Sequence, residues 1–278
     1  MPWAEMATLL ERQAEIQSPA YMQAAAWLAE LVPVAGVRRV LDVGSGPGVL
    51  TALLAEAFPA AEVVAVDGTP ELLEMSRARA EARRLGARVS TLHAELPEAI
   101  AELGEADVIW AGNSLHHIGD QGAALAAFSE LLRPGGLMVL VEGGLPARHL
   151  PWNIGVGRPG LEARIDAVVA DWFGEMRTSL RDSKDEVDDY RALLAGAGLT
   201  PSGTRSFLVD VPAPVPPVVR ETVVATFARQ REGLAERLAE DDVKVLDRLL
   251  DPADPMSLHR RTDLFHLAAR TVHTARKG

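Results

Sequence analysis

A doubly wound α/β fold is the architecture this sequence predicts, and three observations predict it. Short aliphatic runs of about six residues alternate with amphipathic stretches of ten or more, the pattern of parallel strands joined by crossover helices. The first run, RRVLDV, ends in a glycine-rich turn, GSGPG, that opens directly into the helical stretch VLTALLAEAF. An acid, Asp67, closes the second run about 20 residues further on. With 278 residues the chain can bury a large core, as one elaborated domain or one domain with a small appendage.

Each element follows from its local pattern. Apolar residues at helical spacing predict two helices ahead of the sheet, over 4–17 (Met6, Leu9, Leu10) and 19–32 (Met22, Ala26, Trp27, Leu31). Ser18-Pro19 divides them as a cap followed by proline at a first helical position. Together they make a helical N-terminal cap over 1–35. After the glycine turn and its helix, AEVVAVD is a second strand. TPELLEMSRARAEARRLG is a helix with Thr69 as N-cap, Pro70 at its first position and Gly86 near its end. ARVSTLHAEL and ADVIWAGN read as strands, DQGAALAAFSELL as a helix, RPGG as a tight turn and LMVLVEGG as a fifth strand.

From residue 145 the alternation loosens. LPARHLPWNIGVGRPG is a loop, Leu161 to Met176 an amphipathic helix, and SKDEVDDYRALLAGAG a helix capped by Ser183 and stopped by Gly196 or Gly198. TRSFLVDV is a strand, PAPVPP a stiff connector, 217–250 helical, and TDLFHLAARTVHTARK a long closing strand after the break DPADPMSLHRR. The core is therefore 36–211 plus 263–278. The stretches 145–182 and 212–262 are helical insertions expected to cover a substrate pocket, an oligomer interface being the other use of such material.

Composition narrows the function. A net charge of -11 argues against a protein that tracks nucleic-acid phosphates and points to a small-molecule substrate. The absence of cysteine excludes disulfides, thiolate nucleophiles and cysteine zinc sites, and adjacent histidines without a helically spaced acid make a poor metal site. MPWAEMATLLERQAEIQ carries acids among its apolar residues, unlike a signal peptide, and no stretch reaches the roughly 18 charge-free apolar residues of a bilayer span. A cytoplasmic protein without a membrane partner is expected, with monomer and homodimer both open.

The turn itself carries the strongest signal. A strand that runs through glycines into a helix aims backbone amides and the helix dipole at one place, and glycine lets the main chain approach a ligand. A tight turn with no ligand is the competing reading. The spacing is Gly44-x-Gly46-x-Gly48, with Val49 where a dinucleotide fingerprint wants its last glycine. Asp67 stands where a ribose-binding acid would. A nucleoside-bearing ligand fits this pattern better than a pyrophosphate.

VLDVGSGPG with Asp42, VVAVD ending at Asp67, HAELPE, ADVIWAGNSLHHIGD, LLRPGGLMVLVE and a late strand pair resemble, in order, the motifs of class I S-adenosylmethionine-dependent methyltransferases. The resemblance spans 36–211 and resumes at 263–278. It implies a Rossmann-like, doubly wound seven-stranded sheet, mostly parallel with an antiparallel last strand, and methyl transfer from S-adenosylmethionine that leaves S-adenosylhomocysteine. It also implies that Gly44, Ser45, Gly46 and Gly48 take the methionine and ribose portions, and that Asp42 orients the turn or meets the cofactor amine through water. Asp67 would bind the ribose and Gly68 lie beneath the adenine. Glu95, flanked by Ala94 and Leu96, stands where the family often has an aspartate for the adenine amino group. Asn113 and Ser114 would line the methyl-donor side. An NAD-dependent oxidoreductase on the same scaffold and a non-catalytic nucleoside-binding module are the rival readings.

On the acceptor side the residues give candidates, each with a plainer alternative. His116 and His117 follow the fourth strand, and either is a base near neutral pH or a packing residue. Glu142 and His149 follow the fifth strand, one of them as a substrate-facing base, or else as a solvated acid and a loop histidine. Trp152 and Arg158 offer an aromatic wall and an anion clamp, or a hydrophobic pin and a surface charge. Tyr21 and Trp27 reach the cleft or the core, and Arg260 and Arg261 the pocket or solvent. The expected reaction is methylation of a small metabolite, first at a hydroxyl or carboxyl oxygen, with nitrogen and carbon as alternatives.

Overall fold

The structure is a computed structural model that describes residues 3–278. Seven strands make one sheet: β1 (Arg39–Val43), β2 (Glu62–Asp67), β3 (Val89–His93), β4 (Ala106–Gly112), β5 (Leu132–Arg148), β6 (Thr200–Val211) and β7 (His266–Arg276), in the order β3-β2-β1-β4-β5-β7-β6. β1 pairs in parallel with β2 and β4, β2 with β3, and β4 with β5. β7 runs the other way. Its last residues meet the first of β5, where Gly135 N–H donates to Lys277 O and Lys277 N–H to Gly136 O, at 3.1 and 3.0 Å. The seven-stranded sheet with an antiparallel last strand is as expected. The chain reverses its winding between β1 and β4, so the crevice at their carboxyl ends is the natural ligand site of this topology.

Alternation along the strands places Leu41, Val43, Val64, Val66, Ile109, Ala111, Met138 and Leu140 in one buried cluster. That cluster includes Leu125 and Phe128 of α4 (Gln121–Leu131) and Leu194 of α6 (Tyr190–Gly196). Burying each of these side chains larger than alanine stabilises the fold by about 1.5–3 kcal/mol. α1 (Trp3–Leu31), α2 (Val49–Ala57) and α3 (Pro70–Ala82) pack on one another. The chain forms two compact units: the first runs through Gly144 and resumes over Arg177–Phe207 and Arg270–Gly278, and the second comprises Leu145–Met176 and Leu208–Ala269.

Four local expectations are corrected. α1 is one helix running through Pro19, not two. A proline inside a helix costs roughly 3 kcal/mol, but Ala20, Tyr21, Ala24, Ala25, Trp27 and Leu28 beyond it are all buried, and that burial holds the helix together. RPGG lies within β5 rather than in a tight turn, because Gly135 and Gly136 pair with the end of β7. The helix expected from Ser183 starts only at Tyr190, capped by Asp189, whose carboxylate accepts from Ala192 N–H at 3.0 Å. The acidic run before it is drawn to α4: Glu186 accepts from Gln121 N–H at 3.0 Å, and Lys184 pairs with Asp120 at 2.6 Å. Residues 217–250 divide into α7 (Pro217–Leu234) and α8 (Glu240–Leu250).

The second unit packs α7 and α8 with α5 (Leu161–Ser179). Buried Asp242, in the first turn of α8, accepts from Arg164 Nε and Nη2 at 2.7 and 2.8 Å. Glu162 takes the amides of His149 and Leu150, each at 2.9 Å. Burial pushes its carboxyl up to about 7. Among the described residues no helix is long and apolar enough to cross a membrane.

Candidate active site at the glycine turn

β1 delivers the chain to the crevice at Val43, in register with Val66 of β2 and Ala111 of β4. The amides of Gly44 and Ser45 both donate to Val66 O, at 2.9 and 3.0 Å, that of Gly46 donates to Asp67 Oδ2 at 2.9 Å, and that of Gly48 to Ser45 O at 3.2 Å. Proline 47 has none to give. The amides of Gly44, Ser45, Gly46 and Gly48 are thus engaged within the protein. This agrees with a ligand that brings hydroxyl and amine donors.

The glycines do different work. A Cβ on Gly44 would lie 2.5 Å from Ser114 Cβ, and one on Gly48 would collide with Ser76 of α3. Only Gly46, at a φ of +53°, has open space where a side chain would start. Ser45 Oγ is buried beside it with no hydrogen-bond partner. An orphaned hydroxyl and an open glycine are features a bound ligand would satisfy. Asp42, fully buried beneath the turn, accepts from Thr51 Oγ1 at 2.6 Å. Burial pushes its carboxyl up to about 7, with the negative charge of Asp67 adding to the rise and the Thr51 hydroxyl opposing it.

A cavity of about 730 Å³ opens on this turn. Asp67, Gly68, Ala94, Glu95 and Leu96 line one end, brought together because β2 and β3 end level: Asp67 pairs with His93, and Ala94 N–H donates to Asp67 O at 3.1 Å. Asp67 keeps a second amide, from Thr69, at 2.9 Å on Oδ1. The Glu95 carboxylate lies over Gly68, where a Cβ would stand 2.9 Å from its Oε2.

The other end is built by α1, the end of β4 and the start of β7. Asn113, at a φ of +52°, donates from Nδ2 to Tyr21 Oη at 3.3 Å; Tyr21 donates to Gln17 Oε1 at 3.1 Å; and Arg270 Nε donates to the same oxygen at 2.6 Å. All four residues line the cavity. Burial raises the Tyr21 phenol above its ordinary range, opposed by the charge of Arg270. His117 also lines the cavity, its ring edge-on to Trp3 at 5.2 Å. Burial, helped by His116, lowers its imidazole to about 4, so it stands there neutral.

The structure thus gathers Tyr21, Asp42, Gly44, Ser45, Gly46, Asp67, Gly68, Ala94, Glu95, Leu96, Asn113, Ser114 and His117 around one cavity. Other candidates stand apart from its lining. Gly48 serves the packing of α3. His116 is held at 2.9 Å by buried Glu142, which also accepts from Leu115 N–H at 3.0 Å, so that pair braces the loop after β4. Trp27 is buried against Phe207, with the Arg205 guanidinium 5.1 Å over its ring. His149, in the second unit, stacks at 5.1 Å on His266, and burial lowers it to about 4. Trp152 is exposed and lies over Gly160, Arg158 pairs with Asp242 at 3.4 Å, and Arg261 is engaged by Asp263 at 2.7 Å. Sequence reading missed Gln17, Gln13 and Arg270. Gln13 and Gln17 sit at four-residue steps before Tyr21 on the same helical face, and Arg270 is the first arginine of β7, directly after the buried pair Ala268 and Ala269.

Residues 40–136 match the family described as methyltransferase domain. That segment is similar to a methyltransferase domain. Trans-aconitate 2-methyltransferase of Methylobacterium radiotolerans is 34% identical over 155 residues, 51% of this chain and 56% of that one. Malonyl-[acyl-carrier protein] O-methyltransferase of Laribacter hongkongensis is 36% identical over 106 residues, 36% of each chain. The chain spans about half the length of the curated relatives it matches. An O-methyltransferase family protein from Burkholderia thailandensis shares the fold, with a TM-score of 0.50 at 21% identity over 69% of this chain and 53% of that one. The matched segment covers the turn, both strand-end acids and the loop through His117, whereas α1 and Arg270 lie outside it.

Proposed function

We propose that this chain transfers a methyl group from S-adenosylmethionine to an oxygen of a small molecule, releasing S-adenosylhomocysteine. The observation that supports it is a single cavity whose one end has the acids of a nucleoside site and whose other end carries neutral hydrogen-bonding groups and one cation. When bound, the sulfonium supplies an electrophilic methyl that needs only an in-line lone pair. Asp67 retains carboxylate lone pairs beyond the two amides it holds, enough for ribose hydroxyls. In this reading Glu95 takes the adenine amino group, Ser45 and the open face of Gly46 the amino-acid portion, and Asn113 the methyl end; all four line the cavity.

The relatives named for trans-aconitate and malonyl-[acyl-carrier protein] favour a small or carrier-borne acid as acceptor. So does the chemistry of the cavity. A neutral imidazole held near 4 is a weak base, which suits an acceptor oxygen that is already anionic or readily becomes so. A dinucleotide oxidoreductase is disfavoured by Val49, which stands where its fingerprint wants a last glycine. The test is a thermal melt with S-adenosylhomocysteine and with NAD, followed by transfer of labelled methyl to a metabolite panel. Stabilisation by S-adenosylhomocysteine alone is expected; stabilisation by NAD alone overturns the reading.

A further inference from the structure

Arg270 is the one arginine or lysine lining the cavity among the described residues, in a protein of net charge -11. Its side chain is half-buried and its Nε is fixed on Gln17 Oε1 at 2.6 Å, while no carboxylate among the described residues pairs with it. Of the acids that share the cavity, Asp42 is buried beneath the turn and takes the Thr51 hydroxyl, while Asp67 and Glu95 stand on the far side of the sheet's switch point, at the ends of β2 and beyond β3. Arg270 rises from β7, beyond β5, and the antiparallel course of that strand carries it to the same carboxyl edge. A guanidinium anchored through its Nε keeps the forked terminal nitrogens pre-oriented, the arrangement that suits bidentate binding of a planar carboxylate. Gln17 spends its side-chain oxygen on both Arg270 and Tyr21, and Asn113 closes the chain of bonds onto β4. The guanidinium is therefore held as one rigid wall with the groups at the end of the strand that faces the methyl donor.

We infer that Arg270 is the receptor for a carboxylate of the methyl acceptor, so that the enzyme's substrate is a carboxylic acid. This inference rests on the methyl-transfer reading and deepens it. Arg270 confers specificity by ion pairing and takes no part in bond making. The neutral, weakly basic His117 on the same cavity is consistent with an acceptor that brings its own negative charge.

The experiment is calorimetric binding of benzoate, succinate and citrate to the full chain saturated with S-adenosylhomocysteine, with the dimethyl ester of succinate as the uncharged control. At least one of the acids is expected to bind, the ester is expected not to, and Arg270→Met is expected to weaken that acid at least about tenfold. Arg270→Lys, which keeps the charge and loses the fork, should fall between the two and serves if the methionine variant does not fold. In parallel, each variant is titrated with S-adenosylhomocysteine and with 5′-methylthioadenosine, which lacks the amino-acid carboxylate. Unchanged affinity for both is expected. Should Arg270→Met weaken S-adenosylhomocysteine but not methylthioadenosine, the guanidinium serves the cofactor's own carboxylate and the assignment to the acceptor is overturned. It is equally overturned if none of the acids binds the loaded protein, or if binding survives both substitutions. Failure of the unaltered protein to bind S-adenosylhomocysteine would instead defeat the methyl-transfer reading itself.

Discussion

The Asp67 carboxylate ties the end of β2 to the glycine turn, accepting the amide of Gly46 on Oδ2 at 2.9 Å while its Oδ1 takes the amide of Thr69 at the same distance. One side chain therefore sets the shape of the turn and keeps lone pairs facing the cavity. Asp67→Ala strips two amides of their acceptor and is expected to lower stability by about 1–3 kcal/mol. It should also weaken S-adenosylhomocysteine at least about tenfold by calorimetry. Asp67→Asn keeps an acceptor oxygen for one of the amides and should recover much of the stability while binding stays weak. Equal affinity for all three proteins would remove Asp67 from the ligand.

Gly44 and Gly46 make opposite predictions although they are two residues apart in the same motif. An alanine at position 44 brings its Cβ to 2.5 Å from Ser114, so Gly44→Ala should unfold at lower temperature whether or not ligand is present. At position 46 nothing stands in the way, and the cost is the left-handed backbone alone, roughly 1–2 kcal/mol. Gly46→Ala should fold and lose S-adenosylhomocysteine affinity, because the methyl group occupies space the ligand needs. Melting curves with and without ligand read both effects, and a Gly46→Ala protein that binds normally would put the ligand elsewhere.

These two glycines also show what was legible before the structure. A strand, a glycine turn, a helix and an acid about 20 residues later are local patterns, and local patterns survive in one dimension. The parallel sheet followed from the same periodicity. What escaped depends on pairing across the chain. RPGG looks like a turn until Gly135 and Gly136 meet Lys277, and Pro19 looks like a helix boundary until six residues beyond it are seen to be buried. Arg270 and Gln17 lie 253 positions apart, so neither could announce the other. His116 and His117 are adjacent in sequence, yet only the second lines the cavity, while the first turns toward Glu142.

That division of labour predicts that Glu142 acts through shape. Its buried carboxylate accepts from Leu115 N–H and from the His116 ring, holding the loop that presents His117. Glu142→Ala leaves the Leu115 amide without this acceptor and should cost about 1–3 kcal/mol or more of stability. Glu142→Gln, which keeps one acceptor, should cost less. Neither should shift S-adenosylhomocysteine affinity by more than about twofold in protein that remains folded. A large loss of affinity with an unchanged melting temperature would mean that the carboxylate faces the ligand instead.

Asp42 predicts a pH dependence whose sign is set by burial. Its carboxyl is raised from the ordinary value of 3.8 to about 7 in the folded protein, so the unfolded chain releases this proton near the lower value and the folded chain only near the upper. Between them the folded state binds the extra proton, and stability must fall as pH rises. At roughly 1.4 kcal/mol per pH unit, the loss from about pH 5.5 to about pH 7 is on the order of 2 kcal/mol for this group, with little further change above. Glu162 pulls in the same direction from the second unit, also raised to about 7. His117 and His149, lowered to about 4, act the opposite way: stability falls as pH drops below about 6.5, where the unfolded imidazoles take protons that the folded ones refuse. The contribution of Asp42 is therefore read as a difference. Asp42→Asn compared with the unaltered protein in urea unfolding should gain about 2 kcal/mol in relative stability between about pH 5.5 and about pH 8, and Asp42→Asn/Glu162→Gln should gain more. Parallel pH profiles for the unaltered protein and Asp42→Asn would show that the Asp42 carboxyl is ionised in the folded state at low pH, and that the Thr51 hydroxyl outweighs burial beneath the turn.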